Sequence, residues 1–155
     1  MQFYSTNRKT SPVSLREAVV RGLAADRGLF MPEVIRRFPP AFYQNMKEMT
    51  LREISFVVAE AFFGEDVEAG KLKEIVDETL NFDIPLVQVA DNRYSLELFH
   101  GPTLAFKDVG ARFMARLLAY FNKQEGERQV NVLVATSGDT GSAVAVSYTH
   151  LRAHE

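Results

Sequence analysis

A nearly continuous apolar run, Val130-Asn-Val-Leu-Val-Ala-Thr136, passes directly into Ser137-Gly-Asp-Thr-Gly141 and then into Ser142-Ala-Val-Ala-Val146. Apolar, β-branched residues without alternation read as a buried strand, the glycines as a tight turn, and the small apolar residues after them as a helix start. That order of elements commits the chain to an α/β architecture. At such a junction Gly138 and Gly141 let the backbone turn sharply and approach a ligand closely. Ser137, Thr140 and the free N–H groups of the helix start offer partners for a carboxylate or phosphate. Asp139 can cap the helix or contact a ligand. An ordinary strand-to-helix turn, with Asp or Thr as the N-cap, accounts for the segment taken alone equally well.

A second segment, His100-Gly-Pro-Thr-Leu-Ala-Phe-Lys107-Asp108, lies about thirty residues upstream. Phe106, Val109, Phe113, Met114, Leu117, Leu118 and Phe121 recur at helical spacing, which predicts a helix from about Leu104 to Asn122 with Lys107 in its first turn. The free N–H groups of a helix start favour acids and disfavour cations there. A lysine that attacks an aldehyde needs a neutral amine, which burial or a positive neighbourhood favours, so local misplacement of this kind can signal a Schiff-base role. Asp108 pushes the other way. For a lysine chosen at random, a solvated head on an apolar stem is much the commoner state.

These two segments together resemble the threonine synthase family of fold-type II enzymes, which carry pyridoxal 5'-phosphate (PLP). The resemblance extends to Tyr4-Ser-Thr6, Leu15-Arg-Glu-Ala18 and Gly22-Leu-Ala-Ala-Asp26-Arg-Gly-Leu-Phe-Met-Pro32, and so covers nearly everything up to Val146. Arg27 departs from it, standing where the family often has a second glycine. The resemblance implies that Lys107 forms the Schiff base with PLP and then serves as the proton-transfer base, with Phe106 packing beside the cofactor. It implies that Ser137, Gly138, Asp139, Thr140 and Gly141 face the substrate carboxylate and the cofactor's ring oxygen, Asp139 and Thr140 by their side chains. The implied reaction converts O-phosphohomoserine and water to threonine and phosphate. The cofactor ring serves as electron sink, and the protein supplies orientation and proton transfer.

The expected architecture is therefore α/β: a mainly helical amino-terminal module, residues 1–92, then residues 93–146 as the start of a fold-type II parallel-sheet domain, truncated after its first strand-turn-helix unit. At 155 residues the chain is considerably shorter than that family's members, so a fragment is expected, without the downstream loop for the cofactor phosphate or the residue facing the ring nitrogen. An uncovered last strand would make it marginally stable and prone to associate. Residues 147–155, Ser-Tyr-Thr-His-Leu-Arg-Ala-His-Glu, leave the family pattern and read as a non-native tail. Two other readings are a related PLP-dependent phospholyase acting on a similar phosphorylated amino acid, and a non-catalytic domain fragment.

Composition narrows the partners. A hydrophobic share of 46% with 25% charged residues is that of a soluble globular chain, and a net charge of −2 with no basic run argues against nucleic acid. The absence of cysteine excludes disulfides and thiolate metal sites, and no signal peptide or membrane-spanning run is visible, so cytoplasmic residence is expected. His150 and His154 share i, i+4 spacing, but with no third ligand evident no metal site is expected. His100 reads as a structural hydrogen-bonding residue.

The remaining elements follow from local signals. Gln2–Ser5 reads as a short strand, Ser14-Leu-Arg-Glu17 as a capping box opening a helix to about Ala25, and Thr50-Leu-Arg-Glu53 as a second box. The helix opened at Thr50 carries Ile54, Val57, Val58, Ala61 and Phe62 on one face, and another helix is expected over 72–80. A turn at Asp91-Asn92 joins strands over 86–89 and 94–99.

Overall fold

In the computed structural model, which describes residues 1–124, 126 and 129–149, strand β1 (Gln2–Ser5) is the centre of a small antiparallel sheet. It pairs on one side with β2 (Val13–Ser14) and on the other with β3 (Phe30–Pro32). The two-residue period of a strand turns Phe3 and Ser5 inward together, and both are buried. The chain divides into two compact units, Met1–Asp77 and Glu78–Glu155.

In the first unit, helix α1 (Leu15–Arg21) starts at Ser14, whose hydroxyl accepts the Glu17 N–H at 3.2 Å. It stops at Gly22, in a positive-φ conformation at 71°, whose N–H donates to Ala18 O at 3.0 Å. That glycine ends the helix short of the expected Ala25, because the left-handed region costs glycine least. Leu15, Ala18 and Val19 form its buried face. Helix α2 (Pro40–Asn45) opens on a proline pair, and a 3-10 turn (Met46–Glu48) follows it. Helix α3 (Leu51–Phe63) begins at a reciprocal capping box. There the Glu53 N–H donates to the Thr50 hydroxyl at 3.3 Å and the Thr50 N–H to the Glu53 carboxylate at 2.7 Å.

Helix α4 (Ala69–Thr79) starts earlier than the expected 72 and buries Leu72, Ile75 and Val76 at i, i+3, i+4 spacing. Burial of side chains of this size stabilises by about 1.5–3 kcal/mol each. The opposite face is solvated and carries the ion pairs Lys71–Glu74 and Lys73–Asp77. The first unit is thus helical as expected, with a three-stranded sheet added to it.

The second unit opens with the hairpin of β4 (Leu86–Ala90) and β5 (Arg93–Leu96), turning at Asp91-Asn92 with Asn92 at φ 57°. Helix α5 (Lys107–Gln124) follows and packs on α6 (Asp139–Thr149); Ala115, Leu117 and Phe121 of α5 and Ala143 and Ser147 of α6 are buried. Arg112 of α5 donates to the carbonyls of Glu78 and Thr79 and, at 2.8 Å, to Asn81 Oδ1, so a cation satisfies carbonyls that lack helical partners. Burial, more than the neighbouring charge of Arg116, pulls its guanidinium below its ordinary value.

The structure also overturns an expected strand. Residues 130–136 form no strand and are exposed, Leu133 at 94%. A strand exists through its ladder, and among the described residues none pairs with this run, so its amides and apolar faces stay in contact with water. Both sheets among the described residues are antiparallel. The chain is a mixed helix-and-strand fold, and no described helix is long and apolar enough to cross a membrane.

Candidate active site around Lys107

Lys107 is the first residue of α5, and the turn before it determines how it is held. The Leu104 N–H donates to Gly101 O at 3.0 Å, closing the turn, and Leu104 itself takes a left-handed backbone at φ 56° while its side chain stays 75% exposed. That conformation costs a residue with a Cβ about 1–2 kcal/mol and explains why the helix begins at Lys107 rather than at the expected Leu104. Asp108, fully buried, ties the turn down. Its carboxylate accepts the Thr103 N–H at 2.9 Å and the Thr103 hydroxyl at 2.7 Å. Gly101 leaves it room, since a Cβ there would meet Asp108 Oδ2 at 2.5 Å.

The Lys107 side chain is partly shielded, at 31% exposed. Its amine lies 4.4 Å from the centre of the Phe106 ring and 3.8 Å from Asp139 Oδ2. The second distance is an ion pair too long for a hydrogen bond, so the amine is attracted but not locked. The Phe106 ring is 61% exposed and offers an apolar face beside it.

The glycine turn behaves in part as expected. Gly138 has φ 145°, and a Cβ there would meet nothing within 4 Å, so glycine is needed for backbone freedom rather than for space. Ser137, Gly138, Asp139 and Thr140 are exposed, and Gly141 is half-buried beneath Thr136. Two of the amides expected to meet a ligand are already used, because the Thr136 hydroxyl accepts the Gly138 N–H at 2.9 Å and the Gly141 N–H at 3.1 Å. The amides of Asp139 and Thr140 lie in the first turn of α6, where helical carbonyl partners run out. The structure therefore brings together Lys107, Phe106 and Asp139, with Ser137, Gly138, Thr140 and Gly141 in the turn that carries Asp139.

Thr136, Thr103 and Asp108 are the residues that sequence reasoning missed as organisers of the site. Threonine two residues before a glycine turn is a recognised side-chain-to-backbone motif, which was the available signal for Thr136. His100 touches Glu97 through Nε2 at 2.7 Å and stacks on Phe99, as a structural residue would. Among the described residues no group of three or more metal-ligating side chains comes together. His150 and His154 lie outside the described residues.

An aldehyde-bearing aromatic cofactor suits this donor set. A reachable primary amine stands beside an open aromatic face, a carboxylate balances the amine, and a glycine turn at a helix start lies next to both.

The family model described as "Threonine synthase N terminus" matches residues 2–80. The chain is 40% identical to threonine synthase of Serratia marcescens over 152 residues, 98% of this chain and 35% of that protein. The crystal structure of threonine synthase from Escherichia coli superposes with a TM-score of 0.89 at 38% identity, covering 97% of this chain and 35% of that one. PLP-bound threonine synthase from Brucella melitensis superposes with a TM-score of 0.88 at 34% identity, covering 96% and 33%. The chain thus spans about a third of the length of the relatives it matches. With the amino-terminal model matched over half of its residues, the chain belongs to the threonine synthase family.

Proposed function

We propose that these residues hold PLP and take part in the conversion of O-phosphohomoserine and water to threonine and phosphate, by elimination of phosphate and rehydration. The observation that carries this reading is Lys107 itself: a partly shielded side chain at a helix start, its amine 4.4 Å from an exposed aromatic ring and 3.8 Å from a carboxylate. The PLP-bound relative and the family membership support it.

In this reading Lys107 binds the cofactor covalently and afterwards moves protons at its Nζ. Phe106 covers one side of the cofactor ring, and Asp139 balances charge at the amine. Ser137, Gly138, Asp139, Thr140 and Gly141 orient the substrate carboxylate, chiefly through the side chains of Asp139 and Thr140 and the amides of the first turn of α6. When bound, PLP supplies an electron sink for the carbanion chemistry.

We also assign residues 1–92 to the family's amino-terminal domain, 93–146 to the beginning of a parallel-sheet cofactor domain and 147–155 to a non-native tail. This division follows motif content, and residue 92 sits at the tip of the β4–β5 hairpin inside the second compact unit. Ser147–Thr149 continue α6. A small-molecule substrate and a cytoplasmic setting complete the reading.

The test is a visible absorbance spectrum of the purified chain with PLP, before and after borohydride, beside Lys107→Ala. An absorbance change that borohydride abolishes, present in the parent and missing from the variant, supports cofactor binding here. Equal spectra would overturn it.

A further inference from the structure

We propose that Asp108 is a positioning residue for Lys107: its buried carboxylate, through Thr103, holds the Gly101–Leu104 turn in the shape that presents the lysine amine. The inference rests on the reading of Lys107 as the cofactor lysine, and part of its test is independent of that reading.

Three observations carry it. Asp108 is fully buried, and its carboxylate spends both oxygens on one residue, accepting the backbone N–H and the hydroxyl of Thr103. Taking a carboxylate out of water is unfavourable unless its contacts replace the lost hydration, so a buried acid at this point marks a geometry that those contacts determine. Leu104 is held in a left-handed conformation with its side chain in solvent, so packing of that side chain does not hold it there. Strain of this kind persists only where surrounding contacts over-determine it; here they are the Leu104 N–H donating to Gly101 O at 3.0 Å and the Asp108 carboxylate holding the adjacent Thr103. Finally, Gly101 approaches Asp108 so closely that no Cβ fits, which joins the start of the turn to the same carboxylate. The turn is pinned at Gly101, Thr103 and Leu104, and its next fixed point is the first turn of α5, which Lys107 and Asp108 share.

Geometry and charge can be separated, because Asn at 108 can keep both contacts. Its amide oxygen accepts the Thr103 N–H and its amide nitrogen donates to the Thr103 hydroxyl oxygen. Asp108→Asn therefore removes the charge and keeps the clamp, Asp108→Ala removes both, and Thr103→Val removes the hydroxyl contact alone.

The experiment compares these three variants with the parent chain and Lys107→Ala. The first readout is the rate of borohydride trapping of PLP on Lys107. The second is the acetic anhydride reactivity of Lys107 relative to Lys123 in the last turn of α5, with circular dichroism melts to report folding. Expected are at least a tenfold slower trapping and a threefold or larger rise in the acetylation ratio for Asp108→Ala. Thr103→Val should shift both by two- to fivefold, and Asp108→Asn should stay within twofold of the parent. Should Asp108→Ala not fold, Thr103→Val carries the test. Unchanged trapping and acetylation in the variants that fold would overturn the proposal, as would Asp108→Asn behaving like Asp108→Ala, which would make charge the cause. If the parent traps no more PLP than Lys107→Ala, the cofactor reading fails while the acetylation ratio still decides the clamp.

Discussion

Two turns in this chain share the same parts and differ in what stands beside them. Around Asp26, the carboxylate accepts the Ser5 hydroxyl at 2.6 Å, the Gly28 N–H at 3.0 Å and the Lys9 N–H at 2.9 Å. Arg27 takes a left-handed backbone at φ 66°, and a Cβ on Gly28 would meet Ser5 Oγ at 2.0 Å. Around Asp108, the donors are the N–H and hydroxyl of Thr103, the left-handed residue is Leu104, and the crowded glycine is Gly101. Each turn thus has an aspartate, a hydroxyl, a strained non-glycine residue and a glycine that admits no side chain. The Asp26 turn ties distant stretches of the first unit together and serves stability. The Asp108 turn is local, and the residue it adjoins is a lysine. In the proposed reading, the same device maintains a fold in one place and positions the cofactor lysine in the other.

The largest expected effect separates them directly. Lys107→Ala should remove specific reductive labelling by PLP while changing stability by no more than about 0.5 kcal/mol, as checked by mass spectrometry and thermal melts. The glycines come next. Gly28→Ala should cost roughly 1–3 kcal/mol by overpacking against a buried hydroxyl, read as lost hydrogen-exchange protection in β1, with trapping at Lys107 unchanged. Gly101→Ala should cost a similar amount and slow trapping as well. If Gly28→Ala slowed trapping equally, the division of labour between the two turns would be wrong.

Smaller effects sharpen the contrast. Ser5→Ala should cost about 1–2 kcal/mol in urea unfolding, because a buried donor to a charged acceptor is lost. Acid titration should report the Asp26 turn through its sign. The Ser5 hydroxyl, foremost, and then the amides of Gly28 and Lys9 hold the Asp26 carboxyl below its ordinary value. Its contribution is therefore complete above the usual carboxylate range and disappears as pH falls through the lowered value. Asp26→Asn should flatten that part of the acid melting curve. A residual slope should remain from Glu53, lowered first by the Thr50 N–H, and from Glu65, lowered first by the amino terminus. Arg27→Gly should relieve backbone strain and raise stability by up to about 1 kcal/mol. Leu104→Gly should do the same while loosening the presentation of Lys107.

What was legible in the sequence follows the range of the interactions involved. The Ser14 side-chain cap, the Thr50 capping box and the Asp91-Asn92 turn rest on contacts a few residues apart and appear where expected, while the Glu17 carboxylate pairs with Arg21 instead of completing a box and the second hairpin strand ends at Leu96 rather than Phe99. Strands β2 and β3, two and three residues long, exist only through β1 and carry no pattern of their own. The apolar run at 130–136 was misread because hydrophobicity states a preference for burial without supplying the neighbour that buries. Arg27 adopts a positive φ although it is not a glycine, which its neighbours in sequence do not announce. Lys107 and Asp139 could be named in advance from motif resemblance. The clamp of Thr103 could not, because it depends on where a hydroxyl points once the backbone has turned, whereas Thr136 carried a local signal in its spacing from the glycine turn.

The role of Lys107 is tested most directly by a map of label after reduction of the chain with limiting PLP and peptide mass spectrometry of every lysine. Lys107 is expected to carry most of the label, with the solvated Lys9, Lys47, Lys71, Lys73 and Lys123 sharing only a minor remainder. Label spread among the lysines in proportion to their exposure would contradict it.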